Sequence, residues 1–563
     1  MLAVVMSNLF TVAQPYVIGR AVDTLKSGLE AQALGLHDLL WYAALVVGLS
    51  LVAGVFTFLT RQTIIVVSRH IEFDLRNDLL SHIQKQSLAY FQNTPTGDLM
   101  AHATNDISAV RNSVGPGLMY PADTLMTFIM ALSVMLVTDW TLTLVALTPL
   151  PFVSFAVYRL GKLIHRRFEE RQRQYSDLTT RAQETFAGIR VIKAYVREAY
   201  ETSIFRASSH EYLKKNLVLA RIQSIMWPLM FLLVGASLVL TLYVGGLRVI
   251  AGTFSIGTLT AFFGYLVLLI WPMIAFGWVI NILQQGAASM GRLVKIWDTV
   301  PEVRDTEQTD TTIHTIRGSI EFRNVSFRHR DAGGPALREI NLTVPEGATV
   351  ALVGYTGSGK STLVNLIPRL YDVTEGALLV DGVDVRRIPL EVLRGAIGFV
   401  PQETFLFSES LAENIRYGSD TGGDLPQAAE VAQLVQDVEG FPAGYETMLG
   451  ERGITLSGGQ KQRSSLARAV LRQPRILILD DALSSVDTDT EERILHRLRG
   501  IMRGRTSILI SHRISTVKDA DMIVVLHEGE IIDRGTHEEL VARGGLYAEL
   551  YRKQLLEEEL EHL

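Results

Sequence analysis

The chain has 563 residues, a length that predicts at least two domains. Hydrophobic residues make up 48% of the chain and its mean hydropathy is +0.22, between the values of soluble and of purely membrane-embedded proteins. The net charge of −6 gives no reason to expect nucleic acid as a partner, and the lack of cysteine excludes disulfides, thiolate metal sites and cysteine nucleophiles.

The N-terminus shows no cleavable signal peptide. Residues 1–6 are already apolar, without a basic n-region or a small-residue cleavage site. We therefore expect the sequence to start inside the first membrane helix.

Six apolar stretches follow, each long enough to cross a membrane as a helix, because a crossing takes about 20 residues. They are residues 1–25, 39–66, 117–138, 141–164, 222–246 and 257–283. The pattern predicts an all-α transmembrane domain with six helices over residues 1–300.

Two polar segments of helical periodicity separate the second span from the third and the fourth from the fifth. Their excess of lysine and arginine places them in the cytoplasm. The basic residues are Arg69, Arg76 and Lys85 in one segment and Lys162, Arg166, Arg167, Arg171 and Arg173 in the other. We expect the membrane helices to extend into the cytoplasm and to turn in coupling segments near residues 90–98 and 187–190. The alternative is two ordinary cytoplasmic loops.

Ionisable residues within apolar spans are costly and are usually functional. Asp123 lies in the third span and is a candidate for a water-filled substrate cavity, or else for a buried pair with a neighbouring helix. Arg20 and Asp23 lie near a span end, where we expect their side chains to reach the membrane surface.

A polar, aperiodic linker at residues 300–315 leads into alternating strands and helices. The apolar strand 349–353 runs directly into a segment from Gly354 to Thr362 that reads G-x-x-x-x-G-K-S-T. Such a loop wraps its backbone N–H groups around phosphates, with Lys360 at the β- and γ-phosphates and the Ser361 hydroxyl on Mg²⁺. The second domain, residues 316–555, is therefore predicted to be an α/β P-loop nucleotide-binding domain.

Two further motifs fit this domain. An apolar strand ends at Asp480 and Asp481, and Asp480 is a candidate for the Mg²⁺ site. Ser457, Gly458 and Gly459 open a basic helix that is suited to a phosphate. If the two glycine loops lie far apart on one chain, both can contact nucleotide only in a head-to-tail dimer that holds two ATP molecules.

The P-loop, the segment Leu456–Gln460, the Asp480 strand and the segment Ser511–Arg513 together resemble the ABC transporter ATPase. With six spans before it, nearly the whole chain resembles an ABC exporter half-transporter of the heterodimeric, antigen-peptide-transporter-like type. The resemblance implies ATP and Mg²⁺ as cofactors, and a multi-pass location in the inner or plasma membrane with a cytoplasmic ATPase domain. Membrane lipids and a hydrophobic or peptide substrate are its implied partners.

The resemblance also implies roles for individual residues. Gln402 stands at the Q-loop position, Asp487 in the D-loop, His512 at the γ-phosphate switch position, and 450–453 in an exporter-specific segment that includes Glu451 and Arg452. The implied ATP-binding residues are His329, Gly354, Tyr355, Thr356, Gly357, Ser358, Gly359, Lys360, Ser361, Thr362 and Gln402. The implied metal ligands are Ser361, Gln402 and Asp480, and the implied catalytic residues are Asp481 and His512. The signature residues expected to face a partner's ATP are Leu456, Ser457, Gly458, Gly459 and Gln460.

Two positions depart from the family pattern. His329 stands where a tyrosine commonly stacks on adenine, which predicts weaker adenine binding. Asp481 stands where a glutamate normally polarises the attacking water. The shorter side chain withdraws the carboxylate by about 1.5 Å, and a misplacement of about 1 Å can cost roughly 10²-fold in rate. We therefore expect this chain's own ATP site to hydrolyse slowly. The resemblance to heterodimeric ABC exporters, which pair one competent with one degenerate ATP site, then implies a second, non-identical half as partner.

Three alternatives come from other classes. A homodimeric lipid flippase of the same fold would need Asp481 to be catalytically adequate. A soluble P-loop machine acting on DNA is disfavoured by the six spans and the acidic charge. A channel or receptor gated by ATP would tolerate an impaired site, and a test for uphill transport separates it from a pump.

Overall fold

The structure is a computed structural model that describes residues 1–30, 36–330, 333–419, 423–450, 453 and 455–561. The predicted exporter-specific residues Glu451 and Arg452 lie outside these ranges. Contacts divide the chain into two compact units, residues 1–80 with 100–297 and residues 81–99 with 298–563. We call them the membrane unit and the ATPase unit.

The described residues of the membrane unit form helices joined by short turns, with no strand among them. The helices of the described residues up to 297 are α1 (Leu2–Glu30), α2 (Leu36–Gln84), α3 (Leu88–Asn93), α4 (Thr96–Ala101), a π-helical turn (His102–Asp106), α5 (Ile107–Val114), α6 (Pro116–Thr138), α7 (Trp140–Leu147), α8 (Leu150–Ala187), α9 (Ile189–Ala194), α10 (Glu198–Ile250) and α11 (Ile256–Trp297). The end of α2, all of α3 and residues 96–99 of α4 belong to the ATPase unit. Within the membrane unit α8 packs along α10, and α1 packs along α11.

Five helical stretches among the described residues are long and apolar enough to cross a membrane. They contain the first, second, third, fifth and sixth predicted spans. Their apolar windows are only 6–39% buried within the chain, as expected of helices that face lipid. The fourth predicted span, residues 141–164, is divided between α7 and α8 by a turn at Thr148–Pro149, where proline removes a backbone donor.

The contact between α1 and α11 depends on two glycines. A Cβ added to Gly19 would lie 2.4 Å from the Gly257 carbonyl oxygen, and one added to Gly257 would lie 1.9 Å from that of Gly19. Only glycine lets the two helices approach this closely. Asp23 accepts hydrogen bonds from the Gly257 N–H (2.8 Å) and the Ser255 hydroxyl (2.7 Å) at the start of α11. The expectation that Asp23 merely reaches the membrane surface was therefore wrong, because the first N–H groups of a helix need acceptors.

The ATPase unit contains two sheets. A four-stranded antiparallel sheet has the order β2-β1-β4-β5, and a six-stranded sheet has the order β10-β9-β3-β8-β7-β6, parallel except at its β10–β9 edge. The strands are β1 (Ile320–Phe327), β2 (Leu337–Val344), β3 (Thr349–Val353), β4 (Glu375–Val380), β5 (Val383–Asp384), β6 (Ile397–Val400), β7 (Ile476–Asp480), β8 (Thr506–Ile510), β9 (Met522–His527) and β10 (Glu530–Gly535).

Several helices of this unit pack against the six-stranded sheet, whose parallel strands β7 and β8 are buried along their whole length. The helices are α12 (Lys360–Leu366), α13 (Leu390–Gly395), α14 (Leu411–Arg416), α15 (Leu425–Val431), α16 (Val435–Gly440), α17 (Gly458–Leu471), α18 (Thr488–Met502), α19 (Ile514–Val517), α20 (His537–Arg543) and α21 (Leu546–Glu561). The predicted α/β domain thus follows the predicted helical domain, as the sequence indicated. The exact limits 1–300 and 316–555 stay predictions.

Candidate nucleotide site of the ATPase unit

Four neighbouring parallel strands bring the predicted motifs to one edge of the sheet. Strands β3, β8, β7 and β6 lie side by side in that order. The P-loop follows β3, His512 follows β8, Asp481 follows β7 and Gln402 follows β6. Because the carboxyl ends of parallel strands meet at the same edge, motifs far apart in sequence converge there.

The P-loop glycines are required by backbone geometry. Gly354 has φ +154° and Gly359 has φ +98°. A Cβ at Gly354 would lie 2.2 Å from the Leu526 carbonyl oxygen, and one at Gly359 would lie 2.8 Å from that of Ala336. Neither position has space or conformational freedom for a side chain.

Lys360 is folded into this loop. Its ammonium donates hydrogen bonds to the carbonyl oxygens of Gly354 (2.8 Å) and Tyr355 (2.9 Å), and the residue is 6% exposed. Burial lowers the pKa of Lys360, while the charges of Asp480 and Asp481 act in the opposite direction. The loop thus holds a cation at its centre, where phosphate oxygens would replace the two carbonyls.

Ser361 and Asp480 form the oxygen-rich side of the site. The Ser361 hydroxyl donates to Oδ1 of Asp480 at 3.1 Å. Burial raises the pKa of Asp480 and the neighbouring Asp481 adds to this, whereas the Ser361 hydrogen bond, Lys360 and His512 lower it. Hydroxyl, carboxylate and amide oxygens are the ligands that Mg²⁺ prefers, so this donor set fits the ion.

A cavity of about 230 Å³ brings most of the predicted nucleotide residues together. It is lined by His329, Ala336, Thr356, Gly357, Gly359, Lys360, Ser361, Thr362, Gln402, Asp480, Asp481, Ile510 and His512. Gly354, Tyr355 and Ser358 belong to the same loop but do not line this cavity. The roles of all these residues stay predictions.

Asp481 is held by its backbone. Its φ is +49°, an uncommon value for a residue with a side chain. Its N–H donates to the Ile510 carbonyl (3.0 Å), and its own carbonyl accepts from the Ser484 hydroxyl (3.1 Å) and from the Gln462 amide (3.4 Å). The main chain at this position is therefore fixed on both sides of the residue.

The signature segment lies outside the cavity lining. Ser457 is the N-cap of α17 and forms a reciprocal capping box with Gln460. Ser457 and Gly458 are exposed, whereas Leu456 is 8% exposed and anchors the segment in the core. A Cβ at Gly459 would lie 2.8 Å from the Ser485 carbonyl oxygen.

The D-loop residue Asp487 also lies outside the cavity lining, and it caps α18 by accepting from the Thr490 N–H (2.9 Å). The structure thus brings the P-loop, Gln402, Asp480, Asp481 and His512 together and leaves the signature and Asp487 elsewhere on the unit.

Gln462 is a residue that the motif analysis missed. It is 4% exposed, and its amide oxygen accepts from the Ser485 N–H (2.8 Å). Its amide nitrogen donates to the Ser484 hydroxyl (2.9 Å) as well as to the Asp481 carbonyl. One buried glutamine therefore connects the signature helix, the D-loop and Asp481. A polar residue on the inner face of α17 is the sequence signal that could have revealed it.

His329, which lines the candidate nucleotide cavity, packs into an aromatic cluster. Its ring lies edge-on to Phe327 (4.8 Å between centroids) and to Tyr371 (5.4 Å). His329 also lines a second cavity of about 440 Å³, together with Gln92 of the first predicted coupling segment. The Tyr371 hydroxyl is hydrogen-bonded to Gln92, and burial raises the pKa of Tyr371. Sequence reasoning did not identify Tyr371.

Residues 81–99, which include the first predicted coupling segment, thus belong to the ATPase unit by their contacts. Besides the Gln92 bond, the Gln86 amide donates to the Thr299 carbonyl at 2.8 Å. The second predicted turn, residues 187–190, spans the end of α8 and the start of α9.

Comparisons with known proteins agree with this architecture. Residues 1–273 match the family model of the ABC transporter transmembrane region, and residues 337–484 match that of the ABC transporter. A solved structure of a bacterial Atm1-family ABC exporter with ATP bound superposes with a TM-score of 0.81 at 27% identity, covering 98% of this chain and 97% of that one.

Curated relatives match over almost the whole length. The probable multidrug resistance ABC transporter ATP-binding/permease protein YheI of Bacillus subtilis (strain 168) is 38% identical over 98% of this chain and 93% of its own. The ATP-dependent lipid A-core flippase of Syntrophus aciditrophicus (strain SB) is 36% identical over 100% of this chain and 92% of its own. The chain therefore belongs to the ABC transporter family, as an exporter half in which a helical transmembrane domain precedes an ATP-hydrolysing domain.

Proposed function

We propose that this chain is one half of a dimeric exporter of hydrophobic or amphipathic solutes such as drugs, peptides or lipids. Its partner is a second, non-identical half, and the ATP site on its own Walker motifs is catalytically impaired. The names of the relatives, a multidrug resistance transporter and a lipid A-core flippase, support this range of solutes.

The observation that carries the impairment is the fixed backbone of Asp481. A glutamate at this position would reach one methylene further into the cavity. The main-chain hydrogen bonds to Ile510, Ser484 and Gln462 oppose a backbone shift that could compensate for the shorter side chain. A carboxylate misplaced by about 1 Å can lose roughly 10²-fold in rate.

The P-loop, Ser361, Asp480 and Gln402 lie together around one cavity, which supports retention of ATP. Lys360 and the P-loop would hold the β- and γ-phosphates, and Ser361, Asp480 and Gln402 would hold Mg²⁺. The ion, when bound, would neutralise phosphate charge. His512 would contact the γ-phosphate, and His329 would stack on adenine. In this account ATP at this site serves to hold the dimer closed more than to be hydrolysed.

The signature segment would complete the other site. Ser457 is exposed and lies outside the lining of this chain's own cavity, which fits a contact with ATP bound on the partner. Hydrolysis there would use the partner's catalytic acid together with Ser457 and Gly459 of this chain. The coupling segments near 90–100 and 185–195 would transmit closure to the membrane helices and turn the solute cavity outward.

A second candidate is a homodimeric lipid flippase in which Asp481 is catalytically adequate. The 36% identity to a lipid A-core flippase over the whole chain favours it. The two candidates differ in whether the chain hydrolyses ATP when it is produced without any other subunit.

The experiment is to produce the chain alone in nanodiscs and to measure steady-state ATPase activity, with the variant Asp481→Glu prepared in parallel. The proposal expects little activity from the wild type and a rise of about tenfold or more with Asp481→Glu, because two impaired sites become competent. Strong wild-type hydrolysis that Asp481→Glu leaves unchanged would favour the homodimer. Uphill accumulation of a solute in inside-out vesicles, with the co-purified partner, separates a pump from an ATP-gated channel.

A further inference from the structure

A cavity of about 250 Å³ with both polar and apolar walls lies within the membrane unit, bounded by α1, α2, α6 and α11. Ser7, Asn8 and Thr60 line it and are 7%, 3% and 7% exposed. Buried polar side chains are expensive at membrane depth unless they have partners. Ser7 and Thr60 have such partners, at Ala53, Thr57 and Phe56, so the ionisable side chains of the cavity are what requires an explanation.

Asp123 is oriented in this cavity by Asn8. The Asn8 amide nitrogen donates to Oδ1 of Asp123 at 2.8 Å and to the Val4 carbonyl at 3.0 Å. The Thr127 hydroxyl donates to the Asn8 amide oxygen. Both amide hydrogens of Asn8 are thus in use, and its orientation is fixed. Within the described residues, Oδ2 of Asp123 accepts no hydrogen bond, so it is available to a donor in the cavity.

Arg61 brings a positive charge to the same cavity from α2. Neither Arg61 nor Asp123 forms an ion pair with any residue that the structure describes. The cavity therefore holds one charge of each sign on different helices, without direct contact between them. Tyr120 and Trp271 form aromatic parts of the wall.

The position and size of the cavity suit the head of an amphiphile. Asp123 lies about two turns into α6, on the side that continues into the cytoplasmic segment. The volume equals that of about eight water molecules at roughly 30 Å³ each. Pockets for whole drug-sized ligands start at about 300 Å³, so this cavity has room for a head group and not for a complete lipid.

Charge decides which head group fits. A neutral solute would displace water from the half-buried Asp123 and the exposed Arg61 and would leave both charges unpaired. A solute with a single charge would pair one residue and face the like charge of the other. A zwitterion pairs both. We infer that this cavity is a subsite for the head of a zwitterionic amphiphile, with its ammonium at Asp123 and its anionic group at Arg61.

This inference rests on the proposed function and narrows its solute class. The anionic group can be a phosphate, as in a lysophospholipid, or a carboxylate, as in an amino acid or peptide. Both carry an ammonium a few bonds from an oxyanion.

The test uses the dimer as it purifies, in nucleotide-free nanodiscs, with empty nanodiscs as background. Equilibrium binding is measured for five probes of similar tail length. They are dodecylphosphoethanolamine, 2-aminotetradecanoic acid, dodecylammonium, dodecyl phosphate and neutral dodecyl maltoside. We expect at least one of the two zwitterions to bind about tenfold or more tightly than the other three probes, because each charge-assisted hydrogen bond adds affinity. The zwitterion that binds more tightly indicates whether the anionic group of the natural solute is a phosphate or a carboxylate.

Two variants give opposite expectations. Arg61→Gln leaves only Asp123, so preference should move to dodecylammonium, whereas Asp123→Asn leaves only Arg61 and should favour dodecyl phosphate. The double variant should lose charge discrimination. Arg69→Gln is the matched control, since Arg69 lies further along α2, pairs with Glu72 at 2.9 Å and does not line the cavity. It should keep the wild-type order of probes.

The inference is overturned if the wild type does not favour a zwitterion, or if the two single variants change all probes alike. Uphill transport of the same probes in vesicles tests the proposed function separately from the subsite. Charge-dependent binding without uphill transport would preserve the subsite and defeat the exporter proposal. Uphill transport that the Arg61 and Asp123 variants leave unchanged would support the exporter proposal and contradict the subsite.

Discussion

The two units of this chain build their sites in different ways. In the ATPase unit, short motifs follow neighbouring parallel strands, so the sheet order alone places Lys360, Asp480 and His512 at one edge. In the membrane unit, the cavity combines Asn8 and Asp123, which are 115 positions apart on helices without a motif. Sequence spacing therefore identifies the first kind of site, and only helix packing reveals the second.

Among the variants that test this comparison, Ser457→Asp is expected to have the largest effect on activity. Aspartate keeps the N-cap of α17 but places a negative charge where a partner's γ-phosphate would lie. We expect ATPase activity of the dimer to fall by about 10²–10³-fold, as for the loss of a phosphate-stabilising group. Thr536→Asp replaces the N-cap of α20, also a capping box, and should leave activity unchanged. Equal effects of the two variants would mean that Ser457 acts only on the helix.

Gln462→Leu tests whether the ATPase site depends on a residue outside its motifs. The change leaves the Ser485 N–H without its acceptor, which should lower the free energy of unfolding by about 1–3 kcal/mol. ATPase activity of the dimer should fall by about tenfold, because the signature helix α17 and the D-loop segment lose a shared anchor. Thermal unfolding and steady-state kinetics measure the two effects. Gln427→Leu, at an exposed position of α15, is the control and should change neither.

Tyr371→Phe addresses the contact between the first coupling segment and the aromatic cluster. The ring stays against His329, but the hydroxyl bond to Gln92 is lost. We expect ATP affinity to be unchanged. Solute-stimulated ATPase activity should fall by about fivefold, which corresponds to the net free energy of one hydrogen bond. Tyr417→Phe changes an exposed tyrosine and should have no effect. A loss of ATP affinity in Tyr371→Phe would show that its role is in nucleotide binding instead.

The smallest effect is expected from His329→Tyr. A phenol ring offers more stacking surface than imidazole, and an aromatic contact contributes about 0.5–1.5 kcal/mol. ATP affinity, measured by displacement of a fluorescent analogue, should rise by about two- to tenfold. His314→Tyr, at an exposed position in the same unit, should not change it. An unchanged affinity in His329→Tyr would indicate that the ring does not contact adenine.

Much of the fold was predictable because its signals are local. Apolar length predicted the membrane helices, and the strand-to-P-loop pattern predicted the α/β domain. The turn at Thr148–Pro149 was not predicted, since an apolar run of sufficient length does not reveal a break. Asp23 was misread for a related reason, because the acceptor that α11 requires comes from a helix more than 200 residues earlier.

The residues of the candidate site that belong to loop motifs could be predicted from the sequence. Gln462 and Tyr371 could not be identified from spacing, because their importance depends on the buried groups they contact, namely the Ser485 N–H and the His329 ring. Asp123 stood out as a carboxylate in an apolar span, whereas Arg61 did not, because an arginine near a span end is ordinary. Their presence in one cavity follows only from how four helices pack.

The most direct test of the central claim is steady-state ATPase activity of the dimer, purified with its partner, in the variant Asp481→Asn. Removing the charge from a residue that contributes little to hydrolysis should change turnover by no more than about twofold. ATP binding at the P-loop should be retained, as photo-crosslinking of an ATP analogue would show. A loss of about 10²-fold or more in turnover would contradict the account, because Asp481 would then act as a catalytic base in its own right.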